Sequence, residues 1–170
     1  MGTVQNVFPY GSPGSVTRSV DDIIIAVRNA SDNAIAFGTP VFMTEHGAVP
    51  FDIANPQNFE TFLGFAVRVD DKTPNAYPTG QFNSQDAAGE TGSWAPGDVM
   101  EVLVRGSIAL VTNQAGIKGG KLYIRKSDGK LTTSAGTSGT TMLLENVRIR
   151  NPRNDWTSTC EAIVNKRNLL

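Results

Sequence analysis

Residues 99–111 are VMEVLVRGSIALV, the stretch that best indicates the fold class. Two apolar runs, residues 99–104 and 108–111, are rich in Val and Ile and flank an Arg-Gly-Ser sequence. Runs this short do not make a stable helix, and they are typical of buried strands. We therefore predict two consecutive strands, at residues 99–104 and 108–111.

Similar runs occur along most of the chain, separated by Gly, Pro and Asn. The run IIIAV at residues 23–27 predicts a buried strand, while Gly47 and the pair Asp128-Gly129 predict hairpin turns. Residues 142–147 are compatible with a strand or with a short helix. Further strands are predicted at residues 41–43, 62–69, 122–125, 147–150 and 159–165. The sequence thus predicts an all-β fold, a single domain that forms a β-sandwich or a β-barrel.

Two blocks of the sequence have similar spacing. Gly38 and Gly120 each begin a strand pattern, and another Gly follows nine residues later in both, at Gly47 and Gly129. The general use of Gly in hairpin turns is one explanation. If the similarity is structural, we expect two similar three-stranded units that the long loop joins.

Two segments lack a strand or helix period. Residues 1–19 contain Gly and Pro among polar residues and predict an extended N-terminal arm before a β-rich domain at residues 20–170. Residues 71–97 predict a long central loop, and ordered loops of this length usually have a function. Residues 151–170 form a C-terminal tail that holds the last predicted strand.

Both segments contain aromatic residues that a solvated arm or linker would leave in water. Because exposed aromatics mark interfaces, we predict that these residues contact a neighbouring subunit or a larger assembly to which the protein binds. The alternatives are a frayed terminus and loop aromatics that attach the loop to its own domain. The predicted interface residues are Phe8 and Tyr10 in the arm and Tyr77, Phe82 and Trp94 in the loop.

The composition excludes several classes of protein. The 170 residues include 15 Lys and Arg against 16 Asp and Glu, so no general positive charge favours nucleic acid or an anionic membrane. A single Cys and a single His exclude an internal disulfide and the usual Cys/His zinc site. The chain has neither an apolar run of membrane-spanning length nor the pattern of a signal peptide, so we expect synthesis in a cytoplasm.

The side chains that could perform chemistry occur in unsuitable contexts. His46 lies at a predicted hairpin tip without the orienting acid and cleft of a catalytic base. The sequence from Gly116 to Lys121 lacks two of the residues that a phosphate-binding loop needs. The adjacent acids Asp21-Asp22 and Asp70-Asp71 would point to opposite faces of a strand, which does not suit a catalytic pair. Asp86 and Glu90 lack the spacing of a cation-binding loop. We therefore predict no catalytic residue, no cofactor and no metal site.

Several stretches resemble the cement or decoration proteins of tailed-bacteriophage heads. They are the polar arm through Ser19, FGTPVF at residues 37–42, FLGFAVRV at 62–69 and above all WAPGDVMEVLVRGSIALV at 94–111. The last stretch is similar to the family's aromatic-x-Pro-Gly-Asp strand start, followed by an Arg-Gly-Ser turn and a short apolar strand. The similarity covers most of residues 21–150 and contains no catalytic signature.

The resemblance implies a structural protein, not an enzyme, that binds the outer surface of an assembled capsid and stabilises the head against internal DNA pressure. Its partners would be the major capsid protein and further copies of itself, as a dimer or trimer. It would need no small-molecule substrate, no direct nucleic-acid contact and no membrane, and it would lie on the capsid exterior of the virion after assembly in the host cytoplasm. The basic residues of the C-terminal part would form a solvated or capsid-facing edge; they are Arg148, Arg150, Arg153, Lys166 and Arg167.

Two other functions are compatible with the sequence. A β-rich module of a phage tail or fibre base would share this composition and would differ in its copy number per particle. A hydrolase or lyase on a β scaffold would need a cleft with a perturbed acid or base, and the sequence offers no such pair.

Overall fold

The computed structural model describes residues 11–69, 92–153 and 159–165. A 3-10 turn at Phe59–Thr61 precedes the fifth strand, and the described ranges contain no α-helix. The all-β prediction is therefore confirmed. The strands are β1 Val16–Arg28, β2 Ile35–Ala36, β3 Pro40–Thr44, β4 Gly47–Pro50, β5 Phe62–Ala66, β6 Ser93–Trp94, β7 Val99–Val111, β8 Lys121–Arg125, β9 Leu131–Thr132, β10 Thr141–Asn151 and β11 Thr159–Val164.

The main sheet is organised around β7. Along one edge, β7 pairs antiparallel with β1, from Val99 opposite Arg28 to Ile108 opposite Val16. Along the other edge it pairs with β5 at Val102 and Leu103, and then with β11 from Gly106 onwards. The sheet therefore divides into two branches at β7.

The two branches curl differently. The first runs from β5 through β3 to β4, and a bridge between Asn29, just after β1, and Ala48 of β4 joins its far end back to β1. The second runs from β11 through β10 and β8 to β9. The result is a curled, half-barrel sheet, in agreement with the predicted sandwich or barrel.

Two hydrophobic cores form on the two faces of β7. The first core contains side chains of both branches, such as Phe42 and Phe65 of the first and Leu122 and Leu144 of the second, and it includes Leu103 and Ile108 of β7. The second core, inside the ring that the first branch makes with β1, includes Met100, Val102 and Val104. Residues 102–104 of β7 are divided between the two cores, so this part of its sequence is continuously apolar without a period of two.

The prediction of two strands at residues 99–104 and 108–111 is wrong, since β7 continues through Gly106 as one strand. The pairing with β1 shifts from Arg18 opposite Ser107 to Ile23 opposite Arg105, so β1 bulges at this point. Gly106 has a φ of 125°, and a Cβ there would overlap the carboxylate of Asp22. The glycine accommodates the bulge of the partner strand, which a single sequence cannot distinguish from a turn.

The bounds of two other predicted strands change. The strand predicted at residues 62–69 ends at Ala66, and residues 142–147 lie within β10, so the helical alternative is wrong. β10 pairs with β8 along one part and with β11 along another. These ladders satisfy the backbone groups of residues 142–147 without a helix.

The predicted arm includes residues that belong to the domain. β1 begins at Val16, and residues 11–15 before it lie against the sheet. The amide of Gly14 donates to Ala109 (2.8 Å), and its carbonyl accepts from the amide of Arg68 (2.9 Å). Gly14 has a φ of 81°, and a Cβ there would lie 2.8 Å from the amide nitrogen of Gly38. The glycine that suggested an extended arm instead permits close backbone approach.

The two blocks of similar spacing have the same pairing order. In the first, β3 pairs with both β4 and β5; in the second, β8 pairs with both β9 and β10. Each unit is therefore a hairpin whose first strand also pairs with the third strand. The units lie on the two sides of the β7–β11 pair.

Candidate interaction surface

His46 and Cys160, the single histidine and the single cysteine, lie in different surroundings. His46 is exposed in the two-residue turn between β3 and β4. Cys160 is fully buried in the first core, and burial raises the pKa of its thiol to about 11. A thiol with this pKa is inert at neutral pH because the thiolate is the reactive form.

No group of three or more His, Cys, Asp or Glu side chains within the described ranges is arranged to hold a metal ion. Across those same residues, no helix has the length and apolar character needed to cross a membrane.

The predicted interface residues have different outcomes. Phe8, Tyr10, Tyr77 and Phe82 lie outside the described residues. Trp94 is only 5% exposed and belongs to the second core, where its ring packs edge-to-face against Phe37 with 6.1 Å between centroids. Its indole Nε1 donates to the carbonyl of Val67 (3.0 Å). The ring of Trp94 therefore attaches the end of the loop to its own domain, and the expectation that it packs on a neighbouring subunit is corrected.

Asn29 fixes the same end of the loop, a role that the sequence analysis missed. Its side chain is 1% exposed and donates to the carbonyls of Trp94 (3.0 Å) and Ala95 (3.1 Å). Its backbone amide donates to the carbonyl of Asp98 (2.8 Å). An Asn directly after a strand is an ordinary turn signal, so its contacts with residues 94–98 were not predictable from local sequence.

The outer face of β1 and the start of β7 carry apolar side chains that no described part of the chain covers. Ile23 and Ile24 are 38% and 41% exposed, and Val99 is 67% exposed. Ala26, Arg28 and Glu101 are also exposed and lie around them. We call these six residues the outer strip.

The register of β1 and β7 places five of the six residues of the outer strip on one face, and Ile23 lies next to them at the register shift. Ile24, Ala26 and Arg28 alternate with residues that point to the other face, and Ala26 and Arg28 pair with Glu101 and Val99 of β7. Paired residues in an antiparallel ladder point to the same face. Apolar residues therefore lie beside one cationic and one anionic side chain, a combination typical of protein interfaces.

The outer strip corrects the prediction that residues 23–27 form a buried strand. Val27 is buried in the second core and Ile25 packs against it, whereas Ile23, Ile24 and Ala26 are exposed. At residues 23–28, β1 has a core on one face only. The run IIIAV is more apolar than a half-exposed strand requires, and this excess was the available signal for an interaction surface.

Asp22 lies at the end of the outer strip where β1 bulges. Burial raises the pKa of its carboxyl, an effect that the hydrogen bond from the amide of Ser107 opposes and the charge of Asp21 reinforces. The carboxyl occupies the space beside Gly106. The bulge and the glycine thus fix the conformation of β1 immediately before Ile23.

Comparisons with known proteins relate the chain to phage particles. The model of a family described as structural cement protein (E217 gp24/Pam3 gp6) matches residues 2–163. A solved structure described as the capsid of Myoviridae phage XM1 contains a similar chain, with 18% sequence identity and a TM-score of 0.67. That match covers 97% of this chain and 96% of the other, and at this identity it establishes a shared fold. No curated protein matches the chain.

Proposed function

Because the chain belongs to the family of phage structural cement proteins, we propose that it binds the outer surface of the assembled capsid and stabilises the head against the pressure of packaged DNA. A structural role at the capsid follows from the family. The binding face and the mechanical role are the proposal. Many weak contacts, repeated over a lattice, would provide the reinforcement.

The exposed apolar surface of the outer strip supports this proposal. Ile24 and Val99 lie on one face of the β1–β7 ladder, and Ile23 lies at the register shift just before Ile24, so a flat partner can cover all three without rearrangement of the fold. Covering apolar surface contributes roughly 25 cal/mol per Å². The adjacent charges of Arg28 and Glu101 would restrict the partner to a surface with complementary charges.

We also propose an interface formed by aromatic residues of the arm and of the loop, on grounds other than those for the outer strip. Phe8 and Tyr10 would contact the capsid or a neighbouring copy, and Tyr77 and Phe82 would do so from the loop. In this proposal the protein acts as a dimer or trimer on the virion exterior and is assembled with the capsid in the host cytoplasm. It acts without catalysis, and its partners are proteins, with no small molecule, nucleic acid or membrane.

A binding experiment with capsids that lack this protein tests the proposal. In a co-sedimentation assay, the affinity of the double variant I24S/V99S for capsids should be less than one tenth of the wild-type affinity. The two changes remove about 2 kcal/mol of apolar burial, and 1.4 kcal/mol corresponds to a factor of ten.

The matched control is I53S/I117S, which changes two apolar loop residues outside the outer strip that are 55% and 73% exposed. It should bind like the wild type, and all variants should keep the same thermal transition. Equal binding of I24S/V99S and the control would contradict the role of the outer strip. Imaging of intact particles would contradict the capsid assignment if the protein were located only at the tail.

A further inference from the structure

A second surface, which extends from the second branch of the sheet across β7 to β1, carries a line of basic side chains. Lys121 and Arg18 are exposed, and Arg148 and Arg150 are half-buried. We call these four residues the basic row. We propose that the basic row docks a carboxylate-rich surface of the capsid proteins, an inference that rests on the proposed function.

The strand register places the basic row on one face. Directly opposed residues across five strands are Lys121, Arg148, Ile163, Ser107 and Arg18. Arg150 follows Arg148 by two residues and donates from Nη1 to Ser107 Oγ (3.1 Å), so it lies on the same face. The basic row therefore crosses the sheet perpendicular to the strands.

This face points away from the first core. Leu122, Val147, Ala162 and Ile108 each neighbour a residue of the crossing line, and all four are buried in the first core. Because side chains alternate along a strand, their neighbours must point outward. Ile24 of the outer strip is opposite Leu103, which belongs to that core, so the outer strip and the basic row lie on different faces.

Three of the four cations have no carboxylate partner among the described residues. Arg18 donates from Nε to Glu161 Oε1 (3.1 Å) and is neutralised by it. Arg148 donates to the carbonyls of Glu145 and Val147, and Arg150 donates to a hydroxyl. Guanidinium groups held in this way keep donors for a bidentate carboxylate.

The positive charge of this face is not a consequence of composition. The chain as a whole carries a net charge of −1. Residues 92–153 contain nine basic residues (Lys and Arg) and four acidic residues (Asp and Glu). Residues 11–69 contain three basic and six acidic residues. Lys and Arg are thus concentrated in the range that contributes three of the four residues of the basic row, which favours an acidic partner there.

A protein surface fits the basic row better than nucleic acid. Ile163, Leu143 and Tyr123 are half-buried on the same face, and their aliphatic and aromatic groups are typical of a protein interface. These apolar groups, and not the cations, distinguish a protein partner from a phosphate backbone.

The test is co-sedimentation with capsids that lack this protein, at two salt concentrations. K121E/R148E should bind at least tenfold more weakly than the wild type at low salt, and its affinity should depend less on salt. The control K118E/K130E reverses two exposed cations outside the basic row and should remain within threefold of the wild type. In a further sample, carbodiimide and ethanolamine convert the capsid carboxylates to amides. These capsids should bind the wild type and K121E/R148E equally weakly.

The outcomes separate this inference from the proposed function. If the wild type fails to bind untreated capsids at either salt concentration, the proposed function fails and the inference fails with it. If the wild type binds but K121E/R148E matches the control, or if amidated capsids still bind the wild type fully, the inference alone is overturned. Loss of duplex DNA binding by K121E/R148E in fluorescence anisotropy, with capsid binding intact, would overturn it in favour of a nucleic-acid site.

Discussion

Glu161 on β11 is a buried carboxylate that connects three strands. It is 2% exposed and accepts hydrogen bonds from Thr17 Oγ1 (2.7 Å) and Arg18 Nε (3.1 Å) of β1 and from the side-chain amide of Asn151 of β10. Burial alone would raise the pKa of Glu161, but these hydrogen bonds outweigh it and lower the pKa. The charged form is therefore the one that stabilises the fold.

E161Q should lower the free energy of unfolding at pH 7 by about 1–3 kcal/mol, because buried donors lose a charged acceptor. The folded pKa lies below the unfolded value of about 4.3. The contribution is therefore present above that value and is lost as pH falls through the folded pKa. In urea unfolding, the difference between wild type and E161Q should be constant from pH 7 to about pH 5 and should shrink below about pH 4.

The control for this residue is E145Q, which neutralises an exposed carboxylate on β10. It should change stability by less than about 0.5 kcal/mol. A difference between wild type and E161Q that stays the same down to pH 3 would show that the charge of Glu161 contributes nothing.

At the scale of elements, the N-terminal segment has two parts with different roles. The described hydrogen bonds to the domain start at Gly11, whose carbonyl accepts from Thr159 Oγ1 (3.4 Å), and continue through β1. Deletion of residues 2–10 should leave the thermal transition nearly unchanged, and deletion of residues 2–18 should lower it markedly. The longer deletion removes Thr17 and Arg18 from Glu161 and uncovers part of the β7 edge.

Melting followed by circular dichroism measures the stability of both deletions, and co-sedimentation with capsids measures their binding. If residues 1–10 contact the capsid or a neighbouring copy, the shorter deletion should weaken co-sedimentation with the fold intact. Identical melting of the two deletions would contradict the assignment of residues 11–18 to the domain. Wild-type co-sedimentation of the shorter deletion would exclude the arm from the interface.

At the scale of the whole molecule, the two cores share strands and should unfold together. Leu103 of β7 belongs to the first core and Val102 to the second, and both residues pair with β5. Leu122→Ala in the first core and Val41→Ala in the second should lower one common calorimetric transition. Leu→Ala in a core costs about 2–5 kcal/mol, and each kcal/mol lowers Tm by about 2–4 °C at this size.

The ratio of calorimetric to van't Hoff enthalpy should stay close to one in both variants. Two resolved transitions, each shifted by only one substitution, would show that the cores are separate folding units.

The sequence was sufficient for the features that depend on local pattern. Short β-branched runs predicted the all-β class, and Asp128-Gly129 and Gly47 predicted the β8–β9 and β3–β4 hairpins, because turn chemistry and side-chain alternation are properties of neighbouring residues. The resemblance at residues 94–111 also identified the family. Strand bounds were less predictable, since β7 continues through Gly106 only because β1 bulges opposite it.

What the tertiary structure alone decided was which apolar residues are covered. IIIAV in β1 and VMEVLV in β7 are similar runs, yet the β7 run ends in three buried residues divided between the two cores, whereas at IIIAV β1 has a core on one face. Trp94 in the second core, and Glu161 with partners on β1 and β10, depend on contacts between residues distant in sequence. Burial is a property of what packs against a side chain, and that depends on the path of the whole chain.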